Sequence, residues 1–263
     1  MNTCYNRVAN SIFVIRYLSF DIQTMPLRFQ AQRDKLAAQA PQKWLDNLAP
    51  KVAHLRGELA RRDPRDLAER TGATLDATQQ AIQIELWGKP YTLVHPELVA
   101  RDATGAEAST DKQALLLMYL HTADETPLAP AGKWLAYREL PGGMFYANAF
   151  HGYAELRLAQ AFNGDVERFR TAAVGLKGSK LTFGDASFEF VALPRILVAA
   201  VYWLGDEDFP SNASILFDAA ASHYLPTDAV GALGSQLVSR LIGKSDEDAQ
   251  TLTALAVQPP DAA

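Results

Sequence analysis

The sequence predicts an α+β fold: a helical N-terminal segment, then a mixed domain in which antiparallel β-hairpins pack against helices. Three observations carry this. Leu45, Leu48, Val52, Leu55 and Leu59 recur at spacings of three and four, which makes one apolar stripe on a helix. Two apolar runs, Ala81–Leu86 and Tyr91–His95, flank Trp87-Gly88-Lys89-Pro90, and that is a hairpin signal. The most apolar run, Ile196–Leu204, reads as a buried strand, and Ala213–Ala221 can return beside it across the loop Gly205–Asn212.

Composition bounds the rest. The chain has 263 residues, 48% hydrophobic and 21% charged, ordinary for a globular protein with ample apolar material for a core. A net charge of -5, from 25 basic and 30 acidic residues, argues against nucleic acid or an anionic membrane as a partner. Cys4 is the single cysteine. A disulfide framework, a Cys-ligated zinc site and a protein-held iron–sulfur cluster are therefore excluded within this chain, and a cytoplasmic location is expected. Ile196–Leu204 falls well short of the ~20 residues of a membrane span. Ser11–Phe20 is apolar, but Arg16 splits it and no small-residue cleavage site follows closely, so it does not read as a signal peptide. Met25 is an alternative start to Met1.

Three parts are expected along the chain. Residues 1–29 form an N-terminal extension, in which 1–24 either add little to the fold or add a short strand. Residues 30–243 form a single α+β domain. Residues 244–263, polar and carrying Pro259-Pro260, form a disordered tail.

Within the domain, Arg33–Ala40 reads as a first helix stopping near Pro41, and Pro50 predicts a break or kink in the apolar stripe that follows. Asp63-Pro64 predicts a capped helix start and Gly72 its stop. Arg61, Arg62 and Arg65 read as a solvated helix junction. Leu67–Gly72 resembles the first half of a helix-turn-helix, but no Lys or Arg stands between Arg70 and Lys89 to reach a phosphate. Residues 100–110 read as a polar loop. Thr110-Asp111 caps a helix over 112–122, with Leu115, Leu116, Tyr119 and Leu120 facing the core and His121 at the negative end of the dipole. Lys133–Leu140 reads as extended, and Pro141-Gly142-Gly143 forces a turn. A helix follows with Phe145, Tyr146, Phe150, Tyr153, Leu156, Leu158 and Phe162, ended by Gly164; Asp165 caps the next, over 166–174. Leu181–Phe183 and Phe188–Phe190 predict a second hairpin around Gly184-Asp185. Thr227-Asp228 opens a last helix, with Val230, Leu233, Leu237 and Leu241 on one face and Gly243 as its stop.

Several of these pieces occur together. Gly132-Lys133-Trp134, Arg138–Gly143, Pro194-Arg195, Trp203–Pro210, Leu216-Phe217-Asp218 and His223–Pro226, with Glu69–Ala73 and the hairpin over 82–95 upstream, resemble the DUF3786 family of bacterial and archaeal proteins. The resemblance covers about residues 60–243. It implies no biochemical activity. Some similar proteins also carry a four-cysteine iron–sulfur domain, and this chain, with one cysteine, lacks that part.

Two constellations are candidate sites. Asp206, Glu207 and Asp208, with Asp218 beside them if the two strands pair, gather carboxylates suited to Mg²⁺ or Ca²⁺, or serve as a solvated loop in which Asp206 caps a turn. Arg138 and Glu139, with Gly142 and Gly143, offer an anion clamp beside a glycine turn, or a tight strand-to-helix connection. Among His54, His95, His121, His151 and His223 no pair has metal spacing. His151 and His223 can meet Asp218 or Glu139 in an acid–base site only through the fold. Gly178-Ser179-Lys180 lacks the upstream glycine of a phosphate loop, and no G-x-S-x-G motif exists. The expected function is a cytosolic small-molecule or cofactor-binding accessory protein, with a site near the Pro141–Gly143 turn and the acidic loop. The composition names no cofactor. An enzyme using Asp206, Asp218 and His223 is the second reading, and a protein-interaction domain the third.

Overall fold

The computed structural model of the chain describes residues 48–78, 80–123 and 127–243. The expected extension, the helix over 33–40, Leu45 and the expected tail lie outside the described residues.

Helix α1 runs through residues 48–59 and buries Leu48, Val52, Leu55 and Leu59. The described helix is continuous from residue 48 through Pro50, and the turn before it, where the expected break or kink would fall, lies outside the described residues. Helix α2 (Pro64–Thr71) has the expected ends: Asp63 Oδ1 accepts from the Arg65 N–H at 2.8 Å, and Gly72 is left-handed at φ 70.

Strands β1 (Thr74–Asp76), β2 (Ala81–Leu86), β3 (Lys89–Val94) and β4 (Ala100–Asp102) form an antiparallel meander in that order. The β2–β3 turn is Trp87-Gly88 alone, at φ 54 and φ 71. Two positive φ values are what a two-residue type I′ hairpin requires. The start of the expected polar loop is strand instead. Ala100 pairs with Leu93 and points into the core, while Arg101 and Asp102 give β4 a polar exterior suited to a sheet edge.

Helix α3 (Thr110–Thr122) is buried all round from Gln113 to Leu120. Leu117 and Met118, beyond the expected stripe, are covered too, because α3 packs against α2, β4 and residues 221–224 at once. A helix apolar on every side belongs inside. His121 Nε2 lies 2.7 Å from Glu58 Oε2, which ties the end of α3 to α1. The Tyr119 hydroxyl donates to the Thr71 carbonyl at 2.7 Å and accepts from the Arg195 N–H at 3.1 Å. Burial holds this phenol well above its ordinary pKa.

The second sheet is also antiparallel. Strands β5 (Trp134–Ala136), β6 (Ser179–Lys180), β7 (Ala186–Leu193), β8 (Ile196–Trp203) and β9 (Asn212–Asp218) lie in the order β5-β9-β8-β7-β6. The expected β8–β9 pair is present. The extended segment over 133–140 is strand only to Ala136. Glu139 Oε2 then accepts the Ala136 N–H at 2.8 Å and draws Tyr137–Glu139 into a 3-10 turn. In the second hairpin, pairing falls on Ser179-Lys180 rather than on 181–183.

Helical segments cover the inner face of this sheet: α4 (Ala147–Phe150), a π-helical turn (His151–Leu156), α5 (Arg157–Phe162), α6 (Val166–Gly175), α7 (Ala221–Tyr224) and α8 (Thr227–Leu241). Rings fill the interface, with Tyr137 stacked on Phe150 at 4.3 Å and Phe169 on Tyr202 at 5.3 Å. Gly234 of α8 lets them close in, since a Cβ there would meet Phe150 and Phe217 at 2.9 Å. Phe145, expected on the helix after the glycine turn, is 87% exposed on the 3-10 turn Gly143–Tyr146. One apolar cluster runs from Leu48 to Leu241 through both sheets.

One edge is closed by a side chain. Among the described residues β5 pairs only with Leu216–Asp218 of β9. Past that point the Ile215 N–H donates to Glu155 Oε1 at 3.1 Å, and His151 Nδ1 holds Glu155 Oε2 at 2.9 Å. A buried carboxylate thus substitutes for a missing strand. The hydrogen bond to Glu155 raises the His151 pKa above 6.5 against the opposing effect of burial.

Two expectations follow from these contacts. Tyr119→Phe strands the buried Thr71 carbonyl and Arg195 N–H, so equilibrium urea unfolding should show a loss of about 1–3 kcal/mol. For His151 the folded pKa is raised, so its stabilisation is complete below about pH 6.5 and fades as pH rises through the folded value. The melting-temperature gap between wild type and His151→Gln should therefore be widest in mild acid and narrow on the alkaline side.

Candidate functional site

Where the two sheets meet, a groove of about 680 Å³ opens between β2, the end of α6, β7 and α8. That is within the usual volume of a small-molecule site. Its floor is Trp87 at the β2–β3 turn. The Trp87 N–H donates to the Ala192 carbonyl at 2.8 Å, and its indole Nε1 donates to Gln236 Oε1 at 2.8 Å. The Arg240 guanidinium lies 5.7 Å from the indole centroid and donates to the Trp87 carbonyl at 3.3 Å. Alternation along β2 sends Ile82, Ile84 and Leu86 into the core, and so turns Gln83 and Glu85 toward the groove. The opposite wall holds Lys177, Phe190 and Val191, and Val191 is 61% exposed.

Two groove residues carry unusual backbone. Trp87 is left-handed at φ 54, and so is Lys177 at φ 61. Lys177 follows α6 at a helix terminus where glycine is the ordinary choice. Non-glycine residues in this region cost about 1–3 kcal/mol each and gather at ligand clamps. The groove combines a stacked cation–indole pair, a lysine, a carboxylate and an apolar lip. That set suits a small amphipathic molecule with an acidic group.

The residues singled out from the sequence lie elsewhere. Asp206 caps its own loop, with Oδ1 accepting from Asp208 N–H at 3.0 Å and Phe209 N–H at 2.8 Å, and Glu207 is exposed beside it. Strand pairing does not bring Asp218 to that loop. Trp203 pairs with Asn212 next to the loop, whereas Asp218 ends β9 at its far end, roughly 20 Å away. Asp218 is fully buried, and it accepts the N–H groups of Ala131, Gly132 and Ala220 at 3.2, 2.7 and 2.9 Å. His223 follows on α7 with its ring edge against Tyr224 at 5.1 Å. Glu139 is engaged with Ala136, and Arg138 shares its 3-10 turn. Gly142 is left-handed at φ 73 and exposed. Gly143 is required by packing, because a Cβ would stand 1.9 Å from the Tyr137 carbonyl oxygen. His151 is bound to Glu155. Among the described residues no group of three or more His, Cys, Asp or Glu could hold a metal ion.

The groove was not readable in the sequence because its lining runs from Gly72 to Arg240 without a motif. The one sequence signal was Trp87 in a hairpin turn, a bulky residue where Asn or Gly is usual.

Searches of curated proteins and of solved structures return no match. A family model described as "Domain of unknown function (DUF3786)" matches residues 63–240, which includes every residue lining the groove. The chain therefore belongs to the DUF3786 family.

Proposed function

We propose that this protein is a small-molecule or cofactor-binding accessory protein whose ligand occupies the groove between the two sheets. The observation that carries this reading is the groove itself, with Trp87 on its floor held in place by Ala192, Gln236 and Arg240. A residue fixed in advance in this way supports a preorganised clamp. In this reading the ligand lays an apolar or planar body along Trp87, Phe190 and Val191. Arg240 and Lys177 face its acidic group, and Glu85 orients a donor on the opposite wall. The cation–indole pair, the lysine and the apolar lip of the groove support a binding role. The groove stands apart from Asp206, Asp218 and His223, on which the acid–base alternative depends. Among the described residues no helix is long and apolar enough to cross a membrane.

The test is a thermal-shift and calorimetric screen of the full chain against nucleotides, corrinoids and small organic acids. At least one class should raise the melting temperature in a concentration-dependent way. Lys177→Gly separates site from scaffold. Relief of its left-handed backbone should stabilise the protein by about 1 kcal/mol, while loss of the ammonium weakens the hit roughly tenfold. A stabilised variant with unchanged affinity would remove Lys177 from the site, and a screen without hits would favour the protein-interaction reading.

A further inference from the structure

A second cavity, of about 520 Å³, lies at the junction of α1 and α2, with Arg61, Arg62, Asp63, Arg65, Gln80 and His95 on its walls. It shares no lining residue with the inter-sheet groove. Three arginines and one carboxylate line it. Asp63 Oδ1 already accepts the Arg65 N–H as the cap of α2. Of the other nearby acids, Asp66 is paired with Arg70 at 2.6 Å and Glu58 with His121 at 2.7 Å. Among the described residues neither Arg61 nor Arg65 makes an ion pair.

The helix ends explain only part of this. Arg61 and Arg62 follow the C-terminal end of α1, where a cation is favoured. Arg65 stands in the first turn of α2, the positive end, where a cation is disfavoured and an anion is welcome. Arg62 is anchored, with Nη1 donating to the His121 carbonyl at 3.2 Å. His95 closes another wall. Its Nε2 is shielded from water and has no hydrogen-bond partner among the described residues.

We propose that this cavity is an anion site for a diphosphate group, held by Arg61, Arg62 and Arg65, with the half-buried His95 ring turning to supply its Nε2. A cavity of this size exceeds one phosphate. Three arginines match the charge of two phosphoryl groups and can bind them through paired N–H donors. The diphosphate is either free or part of a nucleotide, since both present the same oxygens.

The experiment is calorimetric titration of the full chain with inorganic pyrophosphate, ADP and inorganic phosphate, with the ring signals of His95 followed by NMR. Wild type should bind pyrophosphate or ADP more tightly than phosphate, and the His95 ring signals should shift on binding. Tighter binding of ADP than of pyrophosphate would identify a nucleotide, and equal binding would identify the free diphosphate. Arg61→Ala with Arg65→Ala removes two exposed side chains and should leave the melting temperature in place. It should weaken pyrophosphate roughly a hundredfold, about tenfold for each guanidinium removed. Arg240→Ala, in the other groove, should leave pyrophosphate affinity unchanged, so failure here and failure of the groove reading are distinguishable. Absence of pyrophosphate and ADP binding at millimolar concentration would overturn the proposal. So would equal affinity in the double variant, or binding without a change at His95.

Discussion

The Tyr119 hydroxyl holds the two halves of the molecule in register. It sits on a helix covered on every side and reaches both the end of α2 and the turn between β7 and β8. The first contact fixes where the four-stranded meander begins, since β1 follows α2 within a few residues. The second fixes β7 and β8, the middle of the other sheet. A buried phenol with both a donor and an acceptor partner is satisfied only in one arrangement of its neighbours. The Trp87 to Ala192 hydrogen bond and the inter-sheet groove depend on that alignment.

Much of the fold was legible in the sequence, for local reasons. Asp63-Pro64 and Gly72 bound α2 because cap chemistry acts within a few residues. The β2–β3 hairpin and the β8–β9 pair follow from alternating or continuous apolar runs around a turn. The misreadings have a non-local cause. Ala100-Arg101-Asp102 has one inward residue, so only its pairing with β3 makes it a strand. Leu117 and Met118 are buried by elements far away in sequence. The end of β5 at Ala136 depends on a carboxylate three residues on, a contact that a strand pattern does not encode.

The acidic turn and the glycine turn were the prominent chemical features of the sequence, and in the structure their groups are largely engaged with backbone. Asp206 closes a loop, Asp218 anchors residues 131 and 132 to the end of β9, and Glu139 ends a strand. Carboxylates that accept backbone N–H groups do the work of missing secondary structure. Glu155 belongs with them, since it caps the open part of β9. The residues that line the two cavities come instead from outward positions of β2, from helix ends and from turns. No spacing rule links such positions, so only the fold assembles them.

The groove also has a topological consequence. Its lining joins Gly72, near the start of the family region, to Arg240, its last residue. A molecule that touches both walls clips together segments separated by nearly the whole domain. Closing so long a loop removes more freedom from the unfolded chain than a local contact does. Occupancy would therefore act on the domain as a tether between its ends, and resistance to proteases acting on the open chain would report the ligand as directly as any change at the groove itself.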